Sequence, residues 1–127
     1  MTIAFLFPGQ GSQSVGMMDA FSEVSVVKDT FEEASAILQQ DMWQLAHAGS
    51  EEQLALTTNT QPLMLISDVA IYRAWIKLGG KLPSILAGHS LGEYAALVAS
   101  GALNFIDAVQ LVRQRSELMQ NAVPSGV

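Results

Sequence analysis

The chain has 127 residues, of which 50% are hydrophobic and 14% charged, and its formal net charge at pH 7 is −6. This length suits one domain with a sizeable core, and the acidic balance argues against a nucleic-acid partner. The absence of cysteine excludes disulfides, thiolate metal sites and a cysteine nucleophile. No segment is apolar enough to span a bilayer and the N-terminus lacks signal-peptide features, so the sequence predicts a cytoplasmic protein with no membrane partner.

The N-terminal half predicts one strand followed by three helices. Residues 3–7 are a continuous apolar run that stops at Pro8-Gly9, which is typical of a strand buried on both faces. Apolar residues at helical spacing predict a helix over residues 26–38, and a second, short helix covers residues 42–48. Ser50 with Gln53 has the spacing of a capping box and opens a third helix.

The C-terminal half predicts a long helix, a second strand and two further helices. The long helix begins at Thr60-Gln61-Pro62, with proline in its first turn, and is apolar around almost its whole circumference, which indicates a buried central position. A strand over residues 84–87 precedes a helix over residues 91–100, and Asn104 caps a last helix that runs to about residue 122. Strands alternating with helices predict an α/β fold with a parallel sheet.

The sequence Gly88-His89-Ser90-Leu91-Gly92 follows a predicted strand and precedes a predicted helix. This is the context in which G-x-S-x-G forms a sharp turn that exposes a nucleophilic serine, here Ser90. The turn also places the Leu91 N–H at the start of a helix, where it can face a developing oxyanion. An ordinary strand-to-helix turn with tightly packed glycines is the alternative interpretation.

Three further residues are candidates for the same site. The Gly-flanked Gln10 follows the first strand and can offer a second oxyanion donor if the two strands are neighbours; a flexible connection is the alternative. Arg115 lies within an apolar stripe of the last helix, from which Arg113 points away; the stripe consists of Ala108, Leu111, Val112, Leu118, Met119 and Ala122. There Arg115 either binds a carboxylate or a phosphate, or forms a structural ion pair or a snorkelling stem. Gln61 is either a polar wall of this pocket or a partner for local backbone.

A serine nucleophile needs a general base, and the sequence offers none that is convincing. His89 is adjacent to Ser90 and should project away from it, packing beneath the turn, while His47 lies near the end of a short helix with nothing to connect it to the serine. The sequence therefore predicts a site without its general base.

Four elements occur in this order: FPGQGSQ at residues 7–13, TQP at 60–62, GHSLGEY at 88–94, and Arg115. Together they resemble the malonyl-CoA:acyl carrier protein transacylases, over almost the whole chain. The resemblance implies an α/β, three-layer, hydrolase-like large subdomain with a parallel sheet, of which residues 1–127 form the N-terminal part. It further implies that the ferredoxin-like small subdomain and the catalytic histidine are absent from this chain.

The same resemblance implies the roles of individual residues and the partners. Ser90 would carry malonyl from coenzyme A to the acyl carrier protein in fatty acid biosynthesis, with the backbone N–H groups of Gln10 and Leu91 as the oxyanion hole. Arg115 would hold the malonyl carboxylate and Gln61 would line the pocket, with no metal and no redox cofactor. The full-length enzyme is expected to be a monomer, whereas this chain alone is expected to be inactive and prone to self-association.

Two other functions stay open on the sequence. A serine esterase or patatin-like lipase would share the serine turn without needing Arg115. A folded module that binds the carrier protein without catalysis would need neither.

Overall fold

The computed structural model describes residues 2–122, which form two strands, a single 3₁₀ turn and six α-helices. In chain order these are β1 (Ala4–Phe7), the 3₁₀ turn (Asp19–Phe21), α1 (Ser25–Leu38), α2 (Met42–Ala48), α3 (Glu51–Ala55), α4 (Thr57–Lys77), β2 (Ile85–Gly88), α5 (Gly92–Ala99) and α6 (Phe105–Ala122). No helix among these residues is long and apolar enough to cross a membrane.

The two strands pair in parallel, with Ala4 opposite Ile85 and Phe7 opposite Gly88. The predicted α/β class with a parallel sheet is confirmed. In this register both strands end at the same edge of the sheet, so the loops that follow β1 and β2 start side by side. That edge is where open α/β sheets place their ligands.

The prediction that the first strand is buried on both faces is wrong. Phe5 and Phe7 point to the helical side, where both rings lie against Tyr72 of α4 at centroid distances of 5.4 and 6.1 Å. On the other side Leu6 is 77% exposed and Ile85 56% exposed. The sequence could not show this because a continuous apolar run is equally compatible with one covered face or two. A third layer on the open side is not among the described residues.

Helix α4 is the central helix, as predicted, and its residues 60–70 are all buried. It packs against α1, α5 and α6. The predicted start was wrong by three residues, because α4 begins at Thr57 and encloses Pro62. The extra residues have modest helix propensity, but the backbone N–H groups of Asn59 and Thr60 both donate to the Leu56 carbonyl at 2.8 Å and hold the first turn.

Short-range sequence patterns correctly predicted the bounds of α2 and the N-terminal caps of α3 and α6. Helix α2 has the predicted bounds. The capping box is present, with Ser50 N–H donating to Gln53 Oε1 at 2.9 Å and Gln53 N–H donating to Ser50 Oγ at 3.1 Å. Asn104 Oδ1 accepts a hydrogen bond from the Asp107 N–H at 2.8 Å and caps α6. These contacts depend on residues three apart in sequence, which explains why they could be predicted.

The buried face of α6 differs from the predicted apolar stripe. Leu111, Leu118 and Met119 are exposed, and the residues that face α4 and α1 are Phe105, Ala108, Val109, Val112 and Ser116. At about 100° per residue, Arg113 and Arg115 flank this face on opposite edges. Arg113 does not point away as expected: it is half-buried, and its Nη2 donates to Gln40 Oε1 at 2.7 Å.

Asp68 is a buried carboxyl in the middle of α4, with only 6% of its surface exposed. Its Oδ2 atom has no hydrogen-bond partner among the described residues. Desolvation by burial raises the pKa of Asp68 from 3.8 to about 8. Between those two values the folded state keeps a proton that the unfolded state has lost, so stability falls as pH rises across this window.

We expect Asp68→Asn to have the stability of the wild type near pH 4 and to exceed it increasingly towards pH 8, by up to about 1.4 kcal/mol per pH unit. Urea unfolding at several pH values measures the difference. Asp29→Asn, which removes a carboxylate from the exposed side of α1, is the control and should not reproduce the trend. If the difference in stability between Asp68→Asn and the wild type were the same at pH 4 and pH 8, this account of the buried carboxyl would be contradicted.

Candidate active site

Ser90 lies in the turn between the end of β2 at Gly88 and the start of α5 at Gly92. Its φ of 55° is in the left-handed region, which costs a residue with a Cβ roughly 1–2 kcal/mol. The backbone around it is held by three hydrogen bonds: Gly92 N–H to the His89 carbonyl at 2.9 Å, Glu93 N–H to Ser90 at 3.1 Å and Tyr94 N–H to Leu91 at 3.1 Å. The strained, exposed serine expected from the sequence pattern is therefore present.

The two glycines of the turn are required by backbone contacts. A Cβ on Gly88 would overlap the carbonyl group of Gly92, and a Cβ on Gly92 would overlap the carbonyl oxygen of Phe7 at the end of β1. Tight packing of the two glycines is common to both interpretations of the motif, and the left-handed φ of the exposed Ser90 is the feature that favours the sharp strand–turn–helix.

The loop after β1 passes directly beside the serine turn. A Cβ on Gly9 would lie 2.9 Å from the His89 carbonyl oxygen and 3.6 Å from the Leu91 nitrogen. The backbone N–H groups of Gln10 and Leu91 are not donors in any hydrogen bond found among residues 2–122. Two predicted oxyanion donors thus belong to neighbouring segments at one edge of the sheet, with the N-terminus of α5 behind them.

Arg115 on α6 reaches across to the serine turn. Its Nη2 donates to Ser90 Oγ at 3.2 Å and its Nη1 donates to Gln61 Oε1 at 2.5 Å. Its guanidinium carbon lies 5.5 Å from the centre of the Tyr94 ring, within cation–π range. The structure therefore brings Ser90, Arg115 and Gln61 together, although they come from three separate elements.

The positive charge of Arg115 has no carboxylate partner in the described part of the chain. The ion pairs found there join His47 to Asp19 and Arg73 to Glu33. The alternative of a structural ion pair for Arg115 is thus not realised among residues 2–122. A half-buried guanidinium whose contacts are a serine hydroxyl, a neutral amide and an aromatic ring is suited to bind an anionic group.

Gln61 is 1% exposed, and its amide bonds to side chains rather than to local backbone. Besides accepting from Arg115, it donates from Nε2 to Thr57 Oγ1 at 2.7 Å and lies 3.4 Å from Met119 Sδ. Sequence reasoning missed Thr57. Thr57 lies one helical turn before Gln61, and this spacing could have indicated a contact between the two side chains. The predicted start of α4 at Thr60 left Thr57 outside the helix, so the spacing was not considered.

Neither histidine is bonded to Ser90. His89 is exposed rather than packed beneath the turn, and its backbone N–H donates to the Phe7 carbonyl at 3.4 Å. His47 Nδ1 lies 2.8 Å from Asp19 Oδ1, an exposed pair that joins α2 to the 3₁₀ turn. Arg115 has no acceptor and cannot take the serine proton. The described residues also contain no group of three or more side chains that could hold a metal ion.

Comparison with known proteins identifies the family. The acyl transferase domain family matches residues 4–127. The chain belongs to this family. Over 124 residues it is 53% identical to the malonyl CoA-acyl carrier protein transacylase of Salmonella typhimurium, covering 97% of this chain and 40% of that protein. The chain thus spans about two fifths of this curated relative's length.

Solved structures agree with this assignment. The acyl-carrier-protein S-malonyltransferase of Burkholderia pseudomallei superimposes with a TM-score of 0.96 at 60% identity, over 100% of this chain and 41% of that one. A malonyl-transacylase solved in complex with a type II PKS acyl-carrier protein gives a TM-score of 0.95 at 51% identity, over 99% of this chain and 41% of that one. The predicted fold class, the α/β fold of the acyltransferases with a parallel sheet, is confirmed over the aligned residues.

We expect Gly92→Ala to destabilise the fold by about 3 kcal/mol, because the added methyl group meets main-chain atoms of Phe7 that cannot move independently. Gly79→Ala is the matched control: Gly79 has a φ of 90° but open space around it, so only the conformational cost of about 1 kcal/mol applies. Urea unfolding midpoints measure both. Equal losses in the two variants would show that the contact between the turn and β1 is not restrictive.

Proposed function

We propose that this chain carries the acyl-binding part of a malonyl-CoA:acyl carrier protein transacylase that acts in fatty acid biosynthesis in the cytoplasm. The observation that carries the proposal is the contact of Arg115 with Ser90 at 3.2 Å, in a site where the arginine has no carboxylate partner among the described residues. The names of the relatives with more than half of their aligned residues identical support the same substrate and the same acyl carrier protein partner.

In this proposal Ser90 Oγ attacks the thioester carbonyl of malonyl-CoA, and the carbon–sulfur bond breaks as coenzyme A leaves with a proton. The thiol of the carrier protein's phosphopantetheine then attacks the serine ester and regenerates the hydroxyl, which is ping-pong chemistry. The N–H groups of Gln10 and Leu91 bind the oxyanion in both steps. Arg115 exchanges its contact with Ser90 for the free carboxylate of the malonyl group, and Gln61 supports it from the wall of the pocket.

Arg115 provides the selectivity in this scheme. A guanidinium that binds a carboxylate discriminates against an acyl group of the same length that lacks one, because the half-buried charge would then stay without a counter-ion. An esterase or lipase with the same serine turn has no use for such a cation. The absence of a carboxylate partner for Arg115 among residues 2–122 thus favours the transacylase over the esterase.

We expect Arg115→Ala to bind malonyl-CoA at least tenfold more weakly than the wild type while its binding of acetyl-CoA, whose acyl group carries no carboxylate, is unchanged, because one charge-assisted interaction is lost. An NMR titration of the chain with each thioester gives both dissociation constants. Arg113→Ala removes a cation two residues away that bonds to Gln40 instead, and it should keep the preference for malonyl-CoA. A wild-type chain that binds malonyl-CoA and acetyl-CoA equally would favour the esterase and contradict the proposal.

The general base is expected to come from outside the described residues, since no imidazole there is bonded to Ser90. We therefore expect the 127-residue chain alone to transfer malonyl from malonyl-CoA to acyl carrier protein at least 10³-fold more slowly than a complete family enzyme. Intact-mass spectrometry of the carrier protein over time measures the rate, with Ser90→Ala as the blank. Transfer at the rate of the complete enzyme would show that a base is present here.

A further inference from the structure

Thr57, the first residue of α4, connects two parts of the candidate site that are distant in sequence. Its hydroxyl donates to Gln10 Oε1 at 2.9 Å, in the loop after β1, and accepts from Gln61 Nε2 at 2.7 Å. Gln61 in turn accepts from Arg115, which reaches Ser90. These contacts form one continuous series of hydrogen bonds from the serine turn to the oxyanion loop, which is the loop after β1 that carries the Gln10 N–H.

Arg115 sets the donor-to-acceptor direction of these hydrogen bonds. A guanidinium has only donors, so the Gln61 amide must present its oxygen to it. The NH₂ group of Gln61 then faces Thr57, whose oxygen must accept. The single hydroxyl proton of Thr57 is left for Gln10, whose amide oxygen receives it. Each partner therefore has one orientation compatible with the next, and the charge of Arg115 polarises every bond in the same sense.

We propose that Thr57 is a positioning residue for acyl selectivity: it holds the Gln61 amide with its oxygen towards Arg115 and so keeps the guanidinium aimed at the acyl carboxylate. This inference rests on the proposed function. Without the hydroxyl, the NH₂ group of the buried Gln61 amide keeps only the weak acceptor Met119 Sδ at 3.4 Å, and the amide is free to turn this group towards Arg115, where donor would face donor. Arg115 would then be displaced from the position in which it reaches the serine turn.

The same hydroxyl also tethers the oxyanion loop. The side chain of Gln10 is anchored on Thr57, while the backbone N–H of Gln10 is the proposed oxyanion donor. The hydrogen bond from Gln61 to Thr57 is partly buried, whereas the one from Thr57 to Gln10 is exposed at the surface. Thr57 thus couples the two groups that recognise the ends of a malonyl unit, its carbonyl and its carboxylate.

The test compares acyl-group preference in four chains: wild type, Thr57→Val, Thr57→Ser and Thr58→Val. Valine has the shape of threonine without the hydroxyl, and serine keeps the hydroxyl. Thr58→Val makes the same substitution at the next residue, whose side chain forms no hydrogen bond among the described residues. Malonyl-CoA and acetyl-CoA are titrated by NMR, and far-UV circular dichroism checks that each variant is folded. We expect the preference for malonyl-CoA over acetyl-CoA to fall about tenfold in Thr57→Val only.

Thr57→Ala is the second variant if Thr57→Val does not fold. It also removes the hydroxyl that accepts from Gln61 and donates to Gln10, and alanine favours the helix, so it should lower the preference for malonyl-CoA as well. A full preference for malonyl-CoA in folded Thr57→Val or Thr57→Ala, or an equal loss in Thr58→Val, would overturn the role of Thr57. A wild type that shows no preference would instead overturn the proposed function, so the two failures are distinguishable.

Discussion

The contact between the Gly88–Gly92 turn and the carboxyl end of β1 is the constraint on which the candidate site depends. Gly92 lies against the Phe7 carbonyl and Gly9 lies against the His89 carbonyl, so the main chains of two loops meet without side chains between them. The parallel register places both strand ends at one edge of the sheet. A serine in a strained conformation and a loop with free N–H groups thereby become neighbours, even though about eighty residues separate them in sequence.

A second constraint is the burial of polar groups on α4. Gln61 is almost inaccessible to water, and such an amide is tolerated only when its hydrogen bonds are made. Arg115 and Thr57 supply partners for its oxygen and nitrogen. The amide oxygen of Gln61 and the aromatic ring of Tyr94 also stabilise the charge of Arg115 without neutralising it. A cation stabilised in this way remains able to bind an external carboxylate.

These two constraints separate the chemical tasks of the proposed transacylase. The described residues contain the proposed nucleophile, the candidate oxyanion donors and the proposed carboxylate clamp, all at one edge of the sheet. They contain no residue that is hydrogen-bonded to Ser90 and able to accept its proton, because the bonded partner Arg115 has only donors. Recognition of the acyl group and activation of the serine are therefore expected to depend on different parts of the protein, and the chain spans about two fifths of the curated relative it matches.

Some features of this protein follow from the sequence alone, because their causes lie within a few residues. The Ser50 capping box, the bounds of α2, the Asn104 cap and the glycines around Ser90 depend on local geometry, and the candidate residues Ser90, Gln10, Leu91, Arg115 and Gln61 were all named from patterns of this kind. The motifs also sufficed to indicate the family.

The tertiary structure alone decided which faces are covered and which side chains meet. The exposed side of β1, the buried face of α6 and the burial of Arg113 depend on which element packs opposite, and hydrophobic periodicity carries no information about that choice. The contact of Thr57 with Gln10 was hidden for the same reason, because Gln10 lies 47 residues earlier and only tertiary packing brings the two side chains within hydrogen-bond distance. Its contact with Gln61 is local and requires only that α4 begin at Thr57.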